Sequence, residues 1–144
     1  MPHVIVLYST LSGNTRKMAE HVASGAQLVP NTEAVLMDAA KLDLAALEAA
    51  DALAIGSPNY FTYVSGLVKH FFDLALRNPA FKGKPYVAFS THGGGGGVSE
   101  TIERLAKSLG MTKVAASVDI AGAPEGNQVK ALRHLGQTLA QAAT

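Results

Sequence analysis

The feature that most constrains this sequence is a regular alternation of short apolar runs with segments of helical periodicity. The first run, Val4-Ile5-Val6-Leu7-Tyr8, has the length of one strand and no polar interruption. Such a run is typical of a strand that is buried on both faces of a parallel sheet. A helical segment follows, and the pattern repeats along the chain. Because alternating strands and helices form right-handed crossovers, we predict an α/β fold with helices on both faces of a parallel sheet.

The pattern predicts five strands and five helices, with no internal repeat and no linker. The predicted strands cover residues 4–8, 33–38, 52–56, 85–90 and 113–120. The predicted helices cover about 15–27, 44–49, 65–76, 98–109 and 127–141. In the third helix we expect the core face to be Leu67, Phe71, Leu74 and Ala75. Asp43 and Asn127 are the expected caps of the second and fifth helices. The length suits one domain, so we expect residues 1–144 to form a single, doubly wound, five-stranded unit.

Composition limits the classes of function. The chain contains no Cys, which excludes disulfides, thiolate nucleophiles and Cys-ligated metals, and its His residues show no metal-site spacing. A net charge of +1 predicts no nucleic-acid partner. No apolar stretch approaches the ~20 residues that span a bilayer, so we expect no membrane association. No basic region precedes the first apolar run, and we therefore expect no secretory signal and a cytoplasmic location.

Polar residues follow the first strand, at the edge where open parallel sheets bind ligands. Residues 9–15 hold four hydroxyl side chains, one Gly and one Asn, and they open a helix. Free amides and the positive dipole end of a helix favour an anion there, and hydroxyls add neutral donors. We predict a phosphate site, with a helix cap plus a turn as the alternative. The pattern does not identify the phosphate. The predicted site consists of Ser9, Thr10, Leu11, Ser12, Gly13, Asn14 and Thr15.

Two further segments are expected at the same edge. After the third strand, a loop carries Tyr60, Phe61 and Tyr63. Tyr60 or Phe61 is predicted to contact a flat ring, the alternative being that Phe61 or Tyr63 packs over the sheet edge as core. After the fourth strand, His92 precedes five consecutive glycines, whose uncovered amides suit the edge of a heterocycle. The alternative is a mobile loop without function. His92 itself either donates to the ligand or bonds the backbone of its own loop.

Together, these segments resemble the flavodoxin-like superfamily. Thr10, Ser12, Gly13 and Thr15 match its phosphate loop, T/S-x-T-G-x-T; residues 56–61 resemble its second flavin loop, and residues 91–95 stand at its third. The resemblance implies strand order 2-1-3-4-5, non-covalent FMN and electron transfer through the flavin. It also implies which residues contact the cofactor. The phosphate would be held by Thr10, Leu11, Ser12, Asn14 and Thr15. The ring would be bordered by Pro58, Asn59, Tyr60 and Phe61. Its pyrimidine side would be lined by Thr91, His92, Gly93, Gly94 and Gly95.

Three departures from electron-carrier flavodoxins leave the activity open. The chain is not acidic, its third loop lacks the aromatic that sandwiches the flavin, and its second loop lacks Gly. Asn59 is the nearest substitute for that Gly, because Asn tolerates positive φ. We expect an electron carrier for a redox partner protein, since 144 residues leave little room for a nicotinamide-binding insertion.

Two other functions stay open. One is an NAD(P)H-dependent reductase that passes electrons to a small acceptor such as a quinone or a flavin, which the exposed ring face favours. The other is a non-catalytic FMN-binding module. The sequence assigns neither a catalytic residue nor an oligomeric state.

Overall fold

The computed structural model describes residues 2–144 and confirms the predicted parallel sheet. The strand order is β2-β1-β3-β4-β5, with β6 also paired to β4, and every pairing is parallel. The strands are β1 His3–Tyr8, β2 Glu33–Asp38, β3 Ala52–Pro58, β4 Pro85–His92, β5 Thr112–Lys113 and β6 Val118–Ala121. The helices are α1 Asn14–Gln27, α2 Leu44–Ala49, α3 Gly66–Ala75, α4 Ser99–Ser108 and α5 Asn127–Ala142. Within residues 2–144, no helix combines the length and the apolar character needed to cross a bilayer.

Two apolar clusters cover the two faces of the sheet. Ile5 and Leu7 belong to the cluster that packs against α3 and α4, whereas Val4 and Val6 belong to the cluster under α1 and α5. Neighbouring residues of β1 thus enter opposite clusters, as the two-residue period of a strand requires. Burial on both faces explains why this strand is apolar at every position from Val4 to Tyr8.

The fifth strand position is split into two short strands, where the sequence predicted one strand over 113–120. β5 pairs with the beginning of β4 and β6 pairs with its end. A carboxylate of α4 holds both sides of the break: Glu103 accepts from Ser117 Oγ at 2.5 Å and from Lys113 Nζ at 2.9 Å. Burial alone would raise the pKa of Glu103, but the hydrogen bonds from Ser117 and Lys113, with the Lys113 charge, lower that pKa below its ordinary value.

The buried face of α3 also differs from the predicted one. Val68, Phe71, Phe72 and Ala75 are buried, whereas Leu67 and Leu74 are each 43% exposed. Apolar residues surround most of this helix, so their spacing does not select one face. The structure buries the ring of Phe72, which has more apolar surface to remove from water than a leucine side chain.

The predicted caps are correct for α2 and wrong for α5. Asp43 caps α2, because its carboxylate accepts the Ala46 amide at 3.2 Å. The N-cap of α5 is Gly126, and Asn127 is already the first residue inside that helix.

Candidate functional site

Three loops meet where β1, β3 and β4 end, and they enclose a cavity of about 240 Å³. We call residues 9–13 the first loop, residues 59–65 the second loop and residues 93–98 the third loop. No lining residue carries a permanent charge, so the cavity offers neutral donors and acceptors to a ligand. The lining residues are Ser12, Asn14, Pro58, Asn59, Tyr60, Thr91, His92, Gly93 and Gly122.

Helix α1 begins beside this cavity without a side-chain cap. Its N-cap is Gly13, at φ +96°, and the first helical hydrogen bond runs from the Lys17 amide to the Gly13 carbonyl at 3.1 Å. The amides of a first helical turn have no partner within the helix. In the described residues, no side chain takes that place at α1. Uncapped amides and the positive end of the helix dipole together favour an anion at this position.

The hydroxyl groups of residues 9–15 have different surroundings. Ser12 lies on the cavity wall beside Asn14. Thr10 Oγ1 accepts the Gly13 amide at 2.9 Å, and Thr15 Oγ1 lies 2.8 Å from Thr91 Oγ1 in a buried hydrogen bond. The structure therefore brings Ser12 and Asn14 to the cavity. Thr10 bonds within the first loop, and Thr15 ties the start of α1 to β4.

Two other residues of the predicted phosphate site lie off the cavity wall. Ser9 is 3% exposed at the beginning of the first loop, where its own amide bonds the Gly56 carbonyl at 3.2 Å. The Leu11 side chain is 86% exposed, which leaves only its amide for the predicted role.

The second loop is a small hairpin. The amides of Tyr60 and Tyr63 each bond the carbonyl of the other, at 2.9 and 3.0 Å. At its tip, Phe61 and Thr62 have φ values of +56° and +63°, the pattern of a type I′ turn built without glycine. The expectation that Asn59 takes the positive φ is therefore wrong, because the hairpin places the left-handed positions two and three residues later.

The two aromatic candidates of the second loop lie in different surroundings. Tyr60 lies on the cavity wall, whereas Phe61 is 100% exposed at the tip and does not line the cavity. A phenol is protonated at neutral pH, and burial raises the pKa of the Tyr60 phenol further above its ordinary value. Tyr60 thus combines an apolar ring face with a hydrogen-bond donor, as a wall for a flat ligand requires.

The third loop is held by side chains on both sides. His92 Nδ1 accepts the amides of Gly94 and Gly96 at 3.0 and 3.3 Å, and Asn59 Nδ2 donates to the Gly96 carbonyl at 2.7 Å. The second of the two roles expected for His92, a bond to its own loop, is thus present at Nδ1. Gly93 lines the cavity, and Gly94 and Gly95 lie outside the lining.

Thr91, near the end of β4, bonds both α1 and the second loop. Its carbonyl accepts the Asn59 amide at 3.0 Å, and its hydroxyl bonds Thr15. Because Thr91 is the residue before His92, α1 and the second loop both bond the strand end from which the third loop begins.

One lining residue was not predicted. Gly122 follows β6, has φ +72°, and donates its amide to the His92 carbonyl at 3.0 Å. The signal in the sequence was a Gly-rich turn after the fifth predicted strand, which ends at the same edge of the sheet as the other three.

Comparison with known proteins agrees with this fold. Residues 37–125 match the family of NADPH-dependent FMN reductases. The chain belongs to this family. A flavodoxin of Aquifex aeolicus (strain VF5) is 42% identical over 102 residues. That alignment covers 69% of this chain and 55% of the relative, so the chain spans about half the length of this curated protein.

Solved structures resemble the chain over almost its whole length. A flavodoxin from the domain Archaea superposes with a TM-score of 0.89 at 27% identity, covering 98% of both chains. A WrbA-like flavodoxin from Agrobacterium tumefaciens superposes with a TM-score of 0.86 at 23% identity, covering 99% of this chain and 98% of the other. These findings confirm the flavodoxin-like fold and superfamily, and membership of the family implies FMN as the cofactor.

The site fits FMN at both ends of that molecule. The uncapped start of α1, with Ser12 and Asn14, offers neutral donors to a phosphate and places no carboxylate on the cavity wall. Tyr60 and His92 offer flat side chains on the wall of the same cavity. In the described residues, no group of three His, Cys, Asp or Glu side chains lies close enough to hold a metal ion.

Proposed function

We propose that this protein binds FMN without a covalent bond and carries electrons between redox partners. The observation that supports this most is the uncapped N-terminus of α1, which opens with Ser12 and Asn14 onto a cavity walled by Tyr60 and His92. An anion site joined to a site for a flat ring is what a flavin monophosphate needs. We also propose that residues 1–144 work as one domain and that the electron partner is a protein.

Each loop then has its own role in holding the cofactor. The first loop and the start of α1 hold the phosphate through amides and through Ser12 and Asn14. Pro58, Asn59 and Tyr60 border the ring on one side, and Thr91, His92 and Gly93 border it on the other. Bound FMN supplies the electron-transfer chemistry, and these residues orient it and limit the access of water and of partners.

The phosphate contribution is tested by comparing FMN with riboflavin in isothermal titration. We expect FMN to bind much more tightly, because riboflavin lacks the group that the α1 N-terminus favours. Ser12→Ala removes one donor to a charged group and should weaken FMN binding by about 1.5–3 kcal/mol. Ser12→Thr keeps the hydroxyl and serves as the matched control. Equal affinity for the two flavins would contradict the phosphate site.

A second candidate function is an NAD(P)H-dependent reductase. It is supported by the family match over residues 37–125 and by a third loop without an aromatic side chain to cover the ring. Stopped-flow mixing of the FMN-loaded protein with NADPH separates the two functions. Rapid bleaching of the flavin would favour the reductase, and an unchanged spectrum would favour the carrier. A protein that binds FMN but accepts electrons from neither NADPH nor dithionite would be a non-catalytic module.

A further inference from the structure

We propose that His92 is a positioning residue with a fixed tautomer: Nδ1 anchors the third loop, and the Nε2–H group is presented to the ligand as a donor. The identity of the ligand as a flavin rests on the proposed function. The tautomer and the anchoring role do not, because they follow from contacts within the chain.

The two amides on Nδ1 decide the tautomer. A neutral imidazole protonates one nitrogen and leaves a lone pair on the other. Gly94 and Gly96 both direct backbone N–H groups at Nδ1, at 3.0 and 3.3 Å, and an amide nitrogen cannot accept. A proton on Nδ1 would therefore face two further N–H groups, whereas a lone pair there accepts both. The proton of neutral His92 consequently belongs on Nε2.

The backbone around His92 keeps these contacts in place. Gly94 and Gly96 have φ values of +119° and +96°, which let the third loop turn its amides back toward the ring. Asn59 Nδ2 holds the Gly96 carbonyl at 2.7 Å, so the second loop fixes the same peptide segment. On the other side, Gly122 donates to the His92 carbonyl at 3.0 Å. The imidazole is thus held between the end of β4 and the third loop.

The other ring nitrogen of His92, Nε2, is the one available to a ligand in the cavity. His92 lines the cavity, and because Nδ1 is engaged by the third loop, Nε2 is the nitrogen left for a ligand. Its partner must be an acceptor, such as a ring carbonyl or an unprotonated ring nitrogen, both of which a flavin carries. Reduction places negative charge on a flavin ring, so a neighbouring N–H donor stabilises the reduced form and raises its midpoint potential.

The first experiment measures the tautomer in the protein without FMN. Long-range ¹⁵N–¹H NMR at about pH 8.5, where free imidazole is neutral, reports which nitrogen of each His carries the proton. We expect His92 to be protonated at Nε2 alone, its signal being identified by its loss in His92→Asn. Protonation at Nδ1, or a mixture of tautomers, would overturn the proposal. If FMN then fails to bind, the proposed function fails, while this measurement still decides the tautomer.

Two variants separate the anchor from the donor. In His92→Asn, Oδ1 takes the place of Nδ1 and keeps the anchor but loses the donor. In His92→Gln, the side-chain amide reaches the place of Nε2 and keeps a donor but loses the anchor. Hydrogen exchange of the Gly94 and Gly96 amides reports the anchor, and the midpoint potential of bound FMN reports the donor.

The expected results are opposite for the two variants. His92→Asn should leave the glycine exchange rates unchanged and lower the midpoint potential, with a loss of about threefold to tenfold in affinity for reduced FMN. His92→Gln should speed glycine exchange by about tenfold and keep the potential close to that of the unmodified protein. If both variants change both readouts equally, His92 is a structural residue only and the donor role is wrong.

Discussion

The second and third loops bond each other directly, and the backbone conformation of each differs from what its residue types suggest. The second loop contains aromatic and β-branched residues, yet its tip places Phe61 and Thr62 at positive φ and exposes Phe61 fully. The third loop contains five glycines, yet His92 Nδ1 and Asn59 Nδ2 bond its backbone at both the amides and a carbonyl. Glycine permits many conformations, but the side chains of neighbouring segments select one of them.

The two loops therefore differ in the term that opposes their ordered conformation. Non-glycine residues in the left-handed region cost free energy, and such strain is found at ligand sites held by surrounding structure. In the second loop, the strain lies in the tip, next to Tyr60 on the cavity wall. In the third loop, the unfavourable term is the ordering of a glycine run, which is offset by hydrogen bonds and by the close packing of Gly97.

The largest effect is expected from Gly97→Ala. A Cβ at this position would overlap a carboxylate oxygen of Asp119 and the hydroxyl of Ser90, which bond each other. Ser90 Oγ also accepts the Val98 amide at 3.0 Å, so the pair cannot move freely. We expect the free energy of unfolding to fall by about 1–3 kcal/mol, measured by urea denaturation.

The matched control is Gly95→Ala, at a position with nothing within 4 Å of an added Cβ. This variant should be neutral or more stable by up to about 1 kcal/mol, because it restricts the unfolded chain. Equal losses in the two variants would mean that the third loop lacks the specific packing described at Gly97.

The next effect has the opposite sign and concerns the tip of the second loop. Replacing Phe61→Asn together with Thr62→Gly supplies the residue pair that a type I′ turn prefers. Since Phe61 is fully exposed, little packing is lost, and the free energy of unfolding should rise by about 1–2 kcal/mol. Gly94→Ala is the converse experiment, because it places a side chain at φ +119° and so introduces backbone strain. It should lower the free energy of unfolding by about 1–2 kcal/mol. A less stable hairpin variant would show that Phe61 or Thr62 makes a stabilising contact.

The smallest effect is expected for the bond between the two loops. Asn59→Ala removes the donor to the Gly96 carbonyl and should lower the free energy of unfolding by about 0.5–1.5 kcal/mol. Amide exchange in the third loop should accelerate, as seen by NMR or mass spectrometry, while α1 is unaffected. Asn14→Ala is the control, because Asn14 lines the same cavity from the first residue of α1. Unchanged exchange in Asn59→Ala would indicate that His92 holds the third loop alone.

Much of the fold followed from local patterns. The bounds of α2 and β2 agree with the predicted ones, and the doubly buried β1 is recognisable from its uninterrupted apolar run, because period and burial act at the level of single residues. The edge of the sheet that holds the cavity was also predictable, since parallel strands bring their carboxyl ends together. Hydroxyl-rich, aromatic and glycine-rich segments at three of those ends indicated the kind of ligand.

Other features depended on partners distant in the chain. Packing between elements decides three of these features. They are the burial of Phe72 rather than Leu67, the break between β5 and β6, and the approach of Gly122 to the cavity. The same holds for the division of labour between Ser12 on the cavity and Thr15 beneath it, since Thr15 bonds Thr91 from another strand. The sequence alone determined the sheet, the alternation of its strands with helices and the edge that holds the cavity. Only the tertiary structure decided which side chain reaches the cavity and which supports a loop, because hydrogen-bond partners 37 or 76 residues apart leave no local signal.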